Sequence, residues 1–509
     1  MCSALIVLLA VGASASRSED ADFEVALESS PSLVQLTLSL GQNISSALGV
    51  KTDTAGGAPW GPPPDTHSQS CRTIYSFAGM LAGMLVITIL FFGLGLCARI
   101  ATRNGNGNAK ENKRATGPPQ MLAGEAHLAD VQPPMEVQPP TAKGPSRPAH
   151  VGAIDGLRAI FALWVVVWHL AMYIYKSEVG FRLFADYYSA RPLMQFFFVA
   201  SGFVNVRSTQ RDSFDWQSGF VFIQRRIARL FPMLWCSMWL LEVFFLLKDS
   251  ELCHAPAALA EAMGYTSVQS KHAWAINGTT WFVSALFLLN VLFPMLYNMC
   301  PSRPATTSCL ILLMVVYRSS YLISPSFANT YFMWYNCPLN RFSEFFAGML
   351  SAVWCRQMQS HVGSWSGWGC FFDALMMLWV VLIPIGCKLA PHAAGDFGLT
   401  APFCLICISA SMAVDAPLHG SPTKRCWPQL GLWGLILNCG PLQFIARYAW
   451  TIYVLQIPVL ETCRWLLPKY YFDHFVALPV IILLGIVADV ALDQPIQRIL
   501  DRYMRDAQA

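Results

Sequence analysis

Arg158 and His169 stand with ten residues between them in VGAIDGLRAIFALWVVVWHLA, residues 151–171. At roughly 100° per residue, eleven steps return to within about 20° of the start, so the two side chains share one face of a helix. The rise between them is about 16 Å, near half the hydrocarbon thickness of a bilayer. The segment is apolar enough to lie in lipid, where an arginine at the boundary and an imidazole deeper in are costly and mark a working seam. Neutral imidazole, with an ordinary pKa of about 6.5, is suited to take a proton from an alcohol as it attacks a thioester carbonyl. Asp155 lies three residues before Arg158 and can pair with it on the same helix face. Two plainer roles compete. A basic residue beside a span also anchors topology, and a histidine within a span also hydrogen-bonds a neighbouring helix.

A second group is Gln224-Arg225-Arg226-Ile227-Ala228-Arg229-Leu230-Phe231-Pro232. Arg225, Arg226 and Arg229 fall within about one turn, and guanidinium groups so placed can hold phosphate oxygens bidentately or sit against anionic lipid. A third is Phe196-Phe197-Phe198-Val199-Ala200-Ser201-Gly202-Phe203. There Ser201-Gly202 lets two helices approach closely, so Ser201 supports the site through packing.

The elements that must carry these residues follow from composition. The chain has 509 residues, 55% hydrophobic and only 13% charged, against about 25% charged in soluble domains. A formal charge of +4 is too small for a nucleic-acid partner. Most of the sixteen cysteines lie in apolar runs as small buried hydrophobes, and no Cys/His spacing suggests a metal site. The fold class is therefore an all-α polytopic membrane protein.

Along the chain, residues 1–16 read as a signal peptide ending in small residues. Residues 17–72 form a short lumenal or extracellular segment bearing the sequon Asn43-Ile44-Ser45. Residues 73–98 form one transmembrane helix, and Arg99, Arg103, Lys110, Lys113 and Arg114 follow it. Residues 99–150, with repeated Asn-Gly, Pro-Pro and Gln-Pro pairs, are a flexible cytoplasmic linker. The membrane domain covers residues 151–500, and residues 501–509 are a cytoplasmic tail. The domain contains about ten apolar spans by the ~20-residue criterion: 154–175, 191–206, 229–247, 280–298, 308–324, 340–357, 369–387, 399–415, 444–467 and 475–492. With residue 150 inside, the arginine-rich loops fall on the inner side and a second sequon, Asn277-Gly278-Thr279, on the outer side. The chain is read as an integral multi-pass protein of the secretory pathway or plasma membrane.

The ordered set IDGLRAIFALWVVVWHL, FFFVASGF, RRIARLFP, RFSEFFAGMLSA and ARYAWTIYVLQIPVL resembles the acyltransferase-3 family of integral membrane O-acyltransferases. This family includes bacterial polysaccharide O-acetyltransferases and the animal nose-resistant-to-fluoxetine proteins. The resemblance covers about residues 150–500. It implies a ten-helix core, acyl-CoA as co-substrate (acetyl-CoA by default), no metal, and a hydroxyl-bearing acceptor such as a glycan, glycolipid or lipid-like molecule. By the same resemblance Arg158 and His169 carry the catalytic Arg-x10-His role, and Arg225, Arg226 and Arg229 bind the donor. Three positions depart from the pattern. Leu286 stands where many members have an acid, Gln456 where many have a histidine, and Gln494 where many have Glu before Pro. Each change removes a titratable group.

Two other functions use the same residues. A transporter would line a polar path with Arg158, His169, Arg341, Glu344, Arg447 and Asp489. An inactive scaffold would keep the fold alone. The internal partners expected are Glu344 for Arg341, three residues earlier, and either His169 or Arg447 for Asp489.

Overall fold

A computed structural model describes residues 84–89, 93, 151–174, 189–209, 211–247, 255–268, 277–320, 335–362, 365, 367–389, 398–415, 427–466 and 474–506. The expected signal peptide, the segment 17–72 and the linker 99–150 lie outside the described residues. Of the expected helix 73–98, residues 84–89 and 93 are described, and all are helical.

The described residues are helical and contain no strand. In order they form α1 (Gly152–Ile174), α2 (Arg191–Ser208), α3 (Trp216–Leu247), α4 (Ala255–Ala262) and α5 (Thr280–Asn298). There follow α6 (Pro304–Ser320), α7 (Pro338–Val362), α8 (Trp368–Leu389), α9 (Thr400–Asp415) and α10 (Trp427–Leu437). The last are α11 (Gly440–Leu466), α12 (His474–Ala488) and α13 (Gln494–Asp506), with a π-helical turn, Asp489–Asp493, between α12 and α13. Each apolar run read from the sequence falls in or overlaps one of these helices. Five stretches are long and apolar enough to cross a bilayer: Gly152–Met172, Trp216–Phe245, Thr280–Asn298, Trp368–Ile385 and Val476–Arg505. Helices suit such a chain because lipid offers no partner to an open backbone N–H or C=O. Pro232, Pro294, Pro384, Pro458 and Pro479 sit inside helices, as proline does in membrane proteins.

α7 packs on α2, and α11 on α1. The α2–α7 crossing depends on two glycines. A Cβ on Gly202 would lie 2.0 Å from the Phe345 carbonyl oxygen, and one on Gly348 would lie 2.0 Å from that of Val199. Gly156 is pinned likewise, because its Cβ would meet the Leu437 carbonyl oxygen at 2.2 Å. Phe161, Phe196, Phe403 and Trp379 interlock four helices, with Phe161–Phe196 centroids 4.7 Å apart and Phe161–Trp379 4.9 Å apart. These rings fix α1, and with it the seam that α1 carries.

The second sequon is not a free surface acceptor. Asn277 is fully buried, and its amide donates to the Val454 carbonyl at 3.1 Å and to Ser237 Oγ at 3.3 Å. Its Oδ1 accepts from Thr279 Oγ1 at 2.7 Å. A glycan on this nitrogen would break the junction of α3 with α11, so the residue serves packing.

Candidate functional site

Arg158 and Asp155 pair on the first turns of α1, Nη1 to Oδ1 3.0 Å, with the arginine 42% exposed. Eleven residues on, His169 is half-buried, and its Nδ1 lies 3.0 Å from Gln456 Oε1 on α11. Gln456 is fully buried. Its amide nitrogen donates to the Tyr453 carbonyl at 2.9 Å, and the Tyr453 hydroxyl donates to the Thr279 carbonyl at 3.1 Å. The Val165 carbonyl, four residues back on α1, is a further polar neighbour of the imidazole, and the Trp168 ring meets it edge-on at 5.1 Å. Gln456, which in the sequence stands only as a lost histidine, is thus the side chain that touches His169.

Asp489 does not decide the histidine. It accepts from Gln494 Nε2 at 2.8 Å within the π-helical turn. Gln494, another departure, is therefore also an amide partner to a functional-looking group. Leu286 is buried in α5, and its carbonyl accepts from Asn290 at 2.7 Å.

At the Arg158 end of the bundle, the α2–α3 loop and the first turns of α3 enclose a cavity of about 470 Å³. Arg211, Arg225 and Arg226 line it, with Ser208, Thr209 and Phe222 among its other walls. Arg226 donates to Asn205 Oδ1, and its guanidinium lies 4.9 Å from the Phe222 ring centroid. Asn205 in turn donates to Asn290 Oδ1 at 2.8 Å, which ties α2 to α5. Arg158 and Arg229 are charged neighbours of Arg226. Several like charges held together at one mouth make a field that attracts anions.

Arg229 takes a different place from its two neighbours. Its Nη1 lies 3.5 Å from Asp493 Oδ2, whose side chain is fully buried, and it does not line the cavity. Helical spacing puts Arg225 and Arg229 on one face, yet only Arg225 and Arg226 share the cavity with the loop before α3. Arg158 and His169 are not cavity-lining residues either, nor is Ser201, which precedes Gly202 at the α2–α7 crossing. Arg211 is the lining arginine that does not stand among the residues singled out from the sequence. Its signal was an arginine among small polar residues, RSTQRDS, in a short loop between two apolar runs.

That loop is held at several points. Arg356 donates to the carbonyls of Val206 and Thr209, the latter at 2.6 Å, and to the Tyr297 hydroxyl at 2.9 Å. The Tyr297 hydroxyl donates to the Arg211 carbonyl at 2.7 Å. Asn298 brackets Phe214, accepting from its N–H at 2.7 Å and donating to its carbonyl at 2.6 Å. Asp215 caps α3 by accepting from the Ser218 N–H at 2.9 Å. The Ser218 hydrogen bonds, from side chain and backbone, hold the Asp215 carboxyl below the usual carboxylate range. The backbone of the loop that carries Arg211 is therefore held by side chains of α5 and α7.

Three guanidinium groups among hydroxyls can take the oxygens of a polyphosphate. A histidine that carries a proton on one nitrogen and a lone pair on the other can accept a proton. A family model described as an acyltransferase domain matches residues 151–492. No curated protein and no solved structure gives a significant match.

Proposed function

The chain belongs to the acyltransferase-3 family, and on that footing we propose that it moves an acyl group, acetyl by default, from acyl-CoA to a hydroxyl of a glycan, glycolipid or lipid-like acceptor. The observation that carries this reading is the pairing of an arginine-walled cavity with an imidazole about 16 Å farther along one helix from Arg158. Arg211, Arg225 and Arg226 bind the donor phosphates. Phe222, stacked on Phe293, steadies the Arg226 guanidinium that lies over its ring. Arg158 guides the thioester arm inward. His169 accepts the acceptor's O–H proton as its oxygen bonds to the acyl carbon; the C–S bond breaks, and the thiolate takes up a proton to leave as free CoA thiol. The positive-inside pattern supports a cytoplasmic donor mouth, and the depth of His169 supports acceptor entry from the far side.

The transporter alternative needs free charges along a path. Arg341, Glu344 and Asp489 are each engaged within the bundle, which favours transfer over conduction.

The test is acyl transfer from radiolabelled acetyl-CoA in proteoliposomes, with donor binding measured separately. His169→Ala is expected to lose about 10²-fold or more in transfer with donor binding intact. Arg225→Gln is expected to weaken donor binding by about tenfold or more, one charge-assisted contact. Unchanged transfer in His169→Ala removes the histidine from the mechanism. A wild-type protein with no saturable acetyl-CoA binding overturns the donor site.

A further inference from the structure

We propose that Gln456 sets the tautomer of His169: its amide oxygen keeps the imidazole proton on Nδ1 and leaves Nε2 as the bare lone pair that meets the acceptor hydroxyl. This rests on His169 acting as the base in the reading above.

Gln456 Nε2 donates to the Tyr453 carbonyl at 2.9 Å, which fixes the amide's orientation. Turning the amide over would set its oxygen against that carbonyl oxygen, two acceptors with no hydrogen between them. Oε1 therefore faces the imidazole, at 3.0 Å from Nδ1. An amide oxygen has no proton to give, so the contact is a hydrogen bond only when Nδ1 carries the proton. Gln456 is fully buried, so in the other tautomer its oxygen has no solvent partner to turn to. One lost buried hydrogen bond favours the Nδ1–H form by roughly tenfold or more.

Neutral imidazole has one N–H. Committing it to Nδ1 frees Nε2, the far atom of the ring, as the proton acceptor. A carboxylate in the place of Gln456 would do the same and add a charge to steady the imidazolium. The neutral amide gives orientation alone. Gln456 is a positioning residue, and its work passes through His169. This accounts for the departure at this position: the glutamine keeps the geometric half of a base–orienter pair and gives up the titratable half.

Two readouts test it. In protein labelled with ¹⁵N-histidine, the His169 signals are those lost in His169→Ala. The wild type is expected to show a protonated Nδ1 and an unprotonated Nε2, and Gln456→Leu to show a mixture. The second readout is acyl transfer. Gln456→Leu is expected to lower kcat about tenfold with the donor KM unchanged, while Gln456→Glu, which restores an acceptor opposite Nδ1, retains more activity than Leu. A pure packing role predicts the reverse order, because a buried carboxylate costs more than an apolar side chain of similar size. A protonated Nε2 in the wild type, or Leu outperforming Glu, overturns the proposal. The wild-type spectrum needs no variant to fold. If it shows Nδ1–H while no acyl transfer occurs, the enzyme reading falls and the tautomer assignment stands.

Discussion

Replacing Glu344 with glutamine removes one charge from a cluster that has no solvent to replace it. Glu344 Oε1 accepts from Arg318 Nε at 2.8 Å and from Arg341 Nη1 at 2.8 Å, and Oε2 accepts from Arg341 Nη1 at 3.0 Å. All three side chains are fully buried. Arg341 also donates to the Tyr335 carbonyl at 2.8 Å and faces the rings of Tyr335, Phe198 and Trp281, at 4.5, 5.4 and 5.6 Å. Breaking a buried pair by deleting one partner costs about 3–5 kcal/mol, because the remaining charge stays in the apolar interior. Here one carboxylate serves two guanidinium groups, which pushes the loss to the upper part of that range. The aromatic faces offset some of it, by about 0.5–2 kcal/mol. The net expectation for Glu344→Gln is a loss of about 3 kcal/mol, read as a lower thermal unfolding midpoint in detergent micelles. Adding Arg341→Met in the same chain should recover part of the loss, since it removes one of the two cations that the carboxylate serves. A variant within about 1 kcal/mol of wild type, below the range for a buried ion pair, or a double variant worse than the single, would show that the cluster is not held by its charges.

Two further outcomes follow from packing and from titration. Gly348→Ala or Gly202→Ala puts a Cβ within 2.0 Å of a facing carbonyl oxygen and is expected to destabilise by about 1–3 kcal/mol or more by forcing α2 and α7 apart; wild-type melting in both would refute the crossing. Asp215→Ala is expected to cost about 1 kcal/mol as a lost helix cap, and to loosen the arginine loop enough to weaken acetyl-CoA binding. The Asp215 carboxyl titrates below its unfolded value, so its contribution is present above about pH 4 and fades as pH falls through the folded pKa. The stability difference between Asp215→Ala and wild type should therefore shrink in acid; a constant difference across pH would show that the charge plays no part.

The helices were legible because a bilayer leaves the backbone one economical solution, and apolar runs long enough to span it announce themselves. What the runs hid is informative. The third run reads as 229–247, yet α3 begins at Trp216. Its first three turns carry Arg225 and Arg226, whose charge ends an apolar window while their backbone continues the helix; the arginines picked out from the sequence therefore stand inside α3, where they line the cavity. The tail counted from residue 501 is continuous with α13, because ILDRYMRD alternates at helical spacing and buries Met504. α10 is shorter than a span and kinks at Gly431, φ +75°, where Asp373 accepts from the N–H groups of Leu432 and Trp433. No local pattern reveals a cap supplied from another helix.

The site divides along the same line. Arg158 and His169 could be placed on one stripe because their relation is local, eleven steps on one helix. The His169–Gln456 contact joins positions 287 residues apart, and sequence patterns are blind to it. Read singly, Gln456 and Gln494 look like losses, since the resemblance leads one to expect a titratable group at each. In the fold each is an amide with one face on a backbone or carboxylate partner and a defined donor or acceptor to offer: Gln456 toward His169, Gln494 toward Asp489. A charge removed from an apolar interior takes its desolvation cost with it, whereas the direction of a hydrogen bond survives the exchange of carboxylate or imidazole for amide. On the proposed reading, with His169 as the base, a neutral partner keeps the alignment that proton transfer needs and gives up the electrostatic support for the imidazolium. On that argument the chain's transfer rate should be limited by the stability of the protonated histidine, and it should rise when Gln456→Glu returns a charge opposite Nδ1.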